Sequence, residues 1–188
     1  RVALVRLNLA ALALLRGDAE SSAELGDLAA QEAAAIGAHD LEAAAELPRG
    51  LALLALGRLD QACAALQRSR DRFVANAGPH LALEPTAGLA LLELARGDKG
   101  SARHVLQPVL DHLDAGGTFD GTEEPLRIRL HCWQVLQACG DARAADVLAS
   151  AHAALIERAQ RISRPTDRER FLQQVPHHRA LLQASAER

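Results

Sequence analysis

The sequence predicts an all-α chain: a right-handed α-solenoid of about four helix hairpins closed by a short helical cap. Three observations carry this. Four glycines, Gly17, Gly57, Gly97 and Gly140, recur at spacings of 40, 40 and 43 residues, and a period in this range marks an array of units that bury their apolar faces only against one another. Each of these glycines ends an apolar run and is followed within three residues by an aspartate: Asp18, Asp60, Asp98 or Asp141. Glycine suits the left-handed residue just past a helix C-terminus, and aspartate accepts from the free N–H groups that open the next helix. Finally, the chain is 49% hydrophobic but only 2% aromatic, with Trp133, Phe73, Phe119 and Phe171 the whole set. Its core therefore rests on Leu, Ala and Val, and Leu and Ala are among the strongest helix formers.

Taken in order, the first hairpin is expected over about 2–15 and 19–36, and the second over about 41–56 and 60–76. The third covers about 81–95 and 99–114, and the fourth about 124–138 and 142–163. The repeats then run over about 1–40, 41–80, 81–123 and 124–163, with a cap at 164–188, all in one domain of 188 residues. Between repeats lie Gly37 to Asp40, Gly78 to His80, and the longest break, Ala115 to Glu124, which is the expected flexible loop. In the cap, Thr166 and Glu169 have the spacing of a capping box, and Pro176 suits the first turn of one more helix. Two short helices there would hide the last apolar face, as a terminal repeat must.

Registering the repeats on the turn glycine gives packing columns. Five residues after it stand Ser22, Ala62, Ala102 and Ala145; seven before it, Ala10, Gly50, Ala90 and Trp133; twelve after it, Ala29, Ser69, Val109 and His152. Small residues in these columns let the two helices of a hairpin approach closely, and Leu14, Leu54 and Leu94, three before the glycine, fill the space between hairpins.

Net charge is −3, with 9 acids and 5 bases over residues 1–60 and 7 Arg against 4 acids over 157–188. That mixed basic tail is no nucleic-acid footprint, so no direct nucleic-acid partner is expected. No charge-free apolar run reaches 18 residues, so neither a membrane span nor a membrane partner is expected. Cys63, Cys132 and Cys139 are odd in number and lack a C-x-x-C pair, which fits a reducing, cytoplasmic setting. The chain has no Met and opens at Arg1 inside an apolar run, as a fragment of a longer protein would. An uncapped helix 2–15 would expose Val2, Leu4, Val5, Leu7 and Leu9 on more than one face. The expectation is fraying there, or self-association through the first repeat into a two-fold dimer.

The glycine turn, the small residue five later, and the pairs Leu9-Ala10, Arg49-Gly50, Leu89-Ala90 and Cys132-Trp133 in the first helices resemble the tetratricopeptide repeat (TPR) over residues 1–163. The chain departs from that family where Arg6, Glu46, Thr86 and Arg129 replace its Trp, and its period is about six residues longer than the usual 34. A second, weaker resemblance lies in Arg161-Ile162-Ser163, Arg168 to Leu172 and Val175 to Arg179. It is similar to the closing segment of large bacterial signalling ATPases and transcriptional regulators of LuxR-type or cyclase-linked organisation. These resemblances imply a non-catalytic interaction scaffold for a protein or peptide, including upstream domains of the same chain. The alternative is a sensing domain holding a small effector between hairpins.

By the same resemblance the concave face is lined by columns six and three before the glycine: Ala11, Leu51, Leu91 and Gln134, then Leu14, Leu54, Leu94 and Gln137. That face is apolar through three repeats and polar in the fourth. It reads either as a groove for an amphipathic helix or as ordinary leucine core. Arg6, Glu46, Glu84, Arg129 and Gln134 lie on the same helices and are expected to be solvated surface.

No H-E-x-x-H, G-x-S-x-G or phosphate-loop motif occurs, so neither a catalytic site nor a cofactor is expected. Gly97 to Ser101 has the wrong spacing for a phosphate loop, and the two Arg-Gly-Asp triplets fall on repeat turns. No metal site is expected either. Cys132 and Cys139 are seven apart, and His131 and the adjacent His177 and His178 diverge on a helix. Buried structural thiols account for the cysteines.

Overall fold

The computed structural model describes residues 1–187, the side chain of Ala77 aside, so the last residue of the expected cap lies outside it. The described residues form helices joined by turns, with no strand among them. In chain order they form α1 (Val2–Leu15), α2 (Ala19–Ala35), α3 (His39–Ala55), α4 (Leu59–Arg72) and a π-helical turn (Phe73–Ala77). There follow α5 (Leu83–Ala95), α6 (Lys99–Asp114), α7 (Pro125–Ala138), α8 (Ala144–Gln160), α9 (Pro165–Gln173) and α10 (Pro176–Ala186).

Each helix packs on the next. The odd-numbered helices also pack side by side, α1 on α3, α3 on α5 and α5 on α7, while α10 rests on α7, α8 and α9. The turn glycines do what their spacing implies: all four have positive φ, from 69° at Gly140 to 85° at Gly97, a region that costs other residues strain.

The aspartates divide. Asp18 and Asp98 are N-caps, accepting from the backbone N–H of Ser21 at 3.1 Å and Ser101 at 2.8 Å. Asp60 is not, while Asp141 accepts from the Arg143 backbone N–H at 3.0 Å in the turn ahead of α8 without being its cap residue. Arg58 and Arg143 take those cap positions, because α4 begins directly after Arg58 and α8 begins late, at Ala144. The capping box at Thr166 is likewise not used: Pro165 opens α9 and Arg164 is its cap residue.

Small residues set the spacing of the first three hairpins. Ala10, Ala29, Ala62, Ala90 and Ala102 are fully covered, as are Ser22 and Ser69, whose hydroxyls donate to the carbonyls of Pro48 and Ala43. At Gly50 a Cβ would come within 2.7 Å of Leu66 Cγ. The fourth hairpin departs from this register by one residue. Cys132, Ala144 and Ala151 are buried where Trp133, Ala145 and His152 were expected. Its second helix starts four residues after the glycine, whereas α2, α4 and α6 start two after theirs.

The segment from Ala115 to Glu124 is anchored rather than loose. Phe119 is 1% exposed and joins the core of α5, α6 and α7, with the Arg129 guanidinium 5.4 Å from its ring centre. His112 and His80 hydrogen-bond the carbonyls of Thr118 and Asp120. Of the cysteines only Cys132 is buried, its thiol pushed up to about 12 by burial; Cys63 and Cys139 are half-buried. On α1, Leu7 turns inward, while Val2, Leu4, Val5, Leu9 and Leu12 are exposed, as expected of an uncapped first helix. No described helix is long and apolar enough to cross a membrane.

Candidate functional site

Helices α1, α3, α5, α7 and α10 border an open hollow of about 440 Å³. Leu14 of α1, Leu51, Leu54 and Ala55 of α3, and Leu91, Leu94 and Ala95 of α5 form its apolar wall. Arg127 and His131 of α7 and Pro176 and His177 at the start of α10 form its polar end. A smaller hollow of about 50 Å³ adjoins it through Leu14, Leu51 and Arg127 and is also lined by Ala11. The cap reaches far back across this face: a Cβ on Gly17 would come within 3.3 Å of Pro176 Cγ.

Six of the eight residues read from the repeat register therefore meet here. Gln134 and Gln137 do not. Gln134 is half-buried with its Oε1 unpartnered, and Gln137 is exposed. α7 presents Arg127 and His131 instead, which share the Gln134 side of the helix at i, i+4, i+7 spacing but lie one to two turns nearer its start.

Behind the polar end lies a buried charged cluster that contradicts the expectation of solvated surface. Glu84 is 1% exposed. Its Oε1 lies 3.1 Å from Arg127 Nε, though that N–H is not aimed at it, and its Oε2 accepts from the Glu124 backbone N–H at 3.1 Å. Burial raises the Glu84 carboxyl to about 7 against the pull of Arg127. Glu46, 4% exposed, makes a separate network, accepting from Arg49 at 3.0 Å and from Arg68 at 2.8 Å. Such carboxylates are tolerated inside only because they are paired. Arg6, by contrast, keeps to the surface expectation in a half-exposed pair with Glu32, and Arg129 over Phe119 does not.

The histidines of α10 depart from the expected divergence. Adjacent residues do diverge on a helix, yet His177 and His178, in the first turn of α10, have ring centres 4.4 Å apart and face Glu124, the residue before α7. Both are buried, at 8% and 2% exposure. Burial lowers His177 to about 4 and also lowers His178, so both are neutral near pH 7. Burial alone would raise Glu124, but His177, Arg127 and His178 more than offset it and hold it low. His131, buried with Nδ1 unpartnered, is lowered to about 3 by burial and by Arg127. The missed signal was the pairing of Glu124 with His177, 53 residues apart in sequence, which no local pattern contains.

No family model, curated protein or solved structure matches this chain. The functional reading accordingly rests on the residues and their geometry.

Proposed function

We propose that the chain is a non-catalytic binding module: an α-solenoid of TPR-like hairpins, capped by α9 and α10, that offers the apolar face of its first helices to a segment of a partner protein. The carrying observation is that Ala11, Leu14, Leu51, Leu54, Leu91 and Leu94, spread over residues 11 to 94, line two adjoining hollows. Ordinary core leucines are closed in on all sides, whereas Leu14, Leu54, Leu91 and Leu94 remain only partly covered. An apolar face of this kind suits the anchor side chains of an amphipathic helix. By its resemblances, such a module belongs in a bacterial signalling or transcription-regulatory protein, in contact with other proteins or other domains of its own chain.

The test is calorimetric titration with amphipathic helical peptides selected for binding to this chain. Leu54→Glu and Leu91→Glu, both at half-buried positions, should abolish binding while the circular-dichroism spectrum stays helical. Undiminished binding by both variants would reject the concave face as the site.

One observation favours a second reading. The larger hollow has the volume of a small-molecule site and pairs an apolar wall with a polar end made by Arg127, His131 and His177. A small amphipathic effector with a hydrogen-bonding polar head fits that arrangement. Thermal stabilisation by such compounds, and none by peptides, would decide for it.

A further inference from the structure

Three polar groups converge where α10 begins. His178 Nδ1 lies 2.8 Å from the Phe171 carbonyl oxygen. A carbonyl only accepts, so Nδ1 carries the proton and the lone pair sits on Nε2. That Nε2 is buried and has no hydrogen-bond partner, and the same holds for His177 Nε2. Glu124 Oε1 stands 3.7 Å from His177 Nε2, and one ligand-capable atom from each of Glu124, His177 and His178 lies within 4.8 Å of the others. Two unpartnered, buried imidazole nitrogens beside a carboxylate form an arrangement that costs stability unless something occupies the space between them.

We propose that Glu124, His177 and His178 form a binding site for a divalent transition-metal ion of the zinc class. The donor set is two imidazoles and one carboxylate, which suits a borderline ion and leaves at least one position open to water. Metal–nitrogen bonds of about 2.0–2.1 Å put neighbouring tetrahedral ligands about 3.3 Å apart, so the 3.7 Å gap between His177 and Glu124 closes with a small side-chain rotation. The Phe171 carbonyl is the outer partner that orients a ligating histidine and selects its tautomer. The three residues adjoin the large hollow, whose lining includes His177. Two cations oppose the ion. Arg158 Nη1 lies 3.7 Å from Glu124 Oε1 and must give way, while Arg127 is offset by Glu84 at 3.1 Å. Affinity is therefore below that of a four-ligand structural site.

The experiment is calorimetric titration of the chelator-treated chain with zinc chloride, repeated on His177→Gln, His178→Gln and Glu124→Gln. One ion per chain is expected, with affinity falling at least about tenfold in each variant. Arg158→Gln frees Glu124 and should tighten binding, whereas His112→Asn, at the other histidine pair, should change nothing. Should the ligand variants misfold, cobalt absorption and X-ray absorption of the unaltered chain read the coordination directly, and two imidazoles with one carboxylate are expected. Failure to bind, binding unaffected by all three ligand variants, or a cobalt spectrum showing sulfur ligation would overturn the site.

Discussion

The first three hairpins and the fourth hairpin with its cap are built on different physics. In α1 to α6 the helices are drawn together by Ala10, Ala29, Ala62, Ala90 and Ala102, all fully buried, and by close approaches such as Gly50 against Leu66. At the other end the register is displaced by one residue, and buried Glu84, His131, His177 and His178 with half-buried Glu124 and Arg127 take over part of the interior. Small-residue packing repeats because one geometry is used several times. A buried polar cluster is assembled once, from distant pieces, and each member relies on the others to stay inside.

Four predictions sharpen this contrast. The largest effect is expected at the Glu84–Arg127 pair. Measured at pH 8.5, above the Glu84 value of about 7, Arg127→Ala leaves a buried carboxylate without its cation and should cost about 3–5 kcal/mol in urea unfolding. Replacing both partners by apolar residues of similar volume, Glu84→Leu with Arg127→Met, should recover most of that loss. If Arg127→Ala alone changes stability by under 1 kcal/mol, the polar interior is not holding the fourth hairpin in place.

Next comes acid sensitivity. His131 is lowered in the folded chain to about 3 from an ordinary 6.5. Its stabilising contribution is present above pH 6.5 and is lost as pH falls through that window towards 3. Glu84 has the opposite sign: raised from 4.5 to about 7, it favours the fold below pH 4.5 and loses that contribution as pH rises to 7. His131→Leu should therefore flatten the fall in melting temperature between pH 6.5 and pH 4. An unchanged acid limb would place the acid-sensitive group elsewhere.

Gly50→Ala probes the apolar side. Its Cβ would meet Leu66 Cγ at 2.7 Å and the Leu66 backbone nitrogen at 3.1 Å, so overpacking should cost about 1–3 kcal/mol. The alanine's better helix propensity, about 1 kcal/mol, would show as net stabilisation only if α3 and α4 can separate freely. The smallest effect separates the two kinds of aspartate. Asp98→Ala removes a cap and should cost about 1 kcal/mol, while Asp60→Ala, a fully exposed residue outside the cap position, should cost less than half of that.

Why was one half legible and the other not? A glycine at positive φ followed by a capping residue is a local device, so Gly17 with Asp18 and Gly97 with Asp98 announce themselves in the sequence. The small-residue columns follow from the period, and the six apolar residues of the hollow follow from the resemblance to the tetratricopeptide repeat. Glu46 and Glu84 carry no such mark, since a lone glutamate on a helix is usually solvated and only the arrival of Arg68 or Arg127 makes it an interior residue. His177 and His178 were set aside on helical geometry, which treats the direction of Cβ as the direction of the ring. Two flexible imidazoles and the Phe171 carbonyl are enough to reunite them.

The proposed binding face is the apolar hollow, and leucine-methyl NMR tests it most directly. With the methyl groups of the chain labelled, a peptide selected for binding is titrated in and the shifts are read residue by residue. The account predicts changes at Leu14, Leu51, Leu54, Leu91 and Leu94 and none at the exposed Leu4, Leu9 and Leu12 of α1. Changes confined to Leu4, Leu9 and Leu12, with the hollow silent, would contradict it.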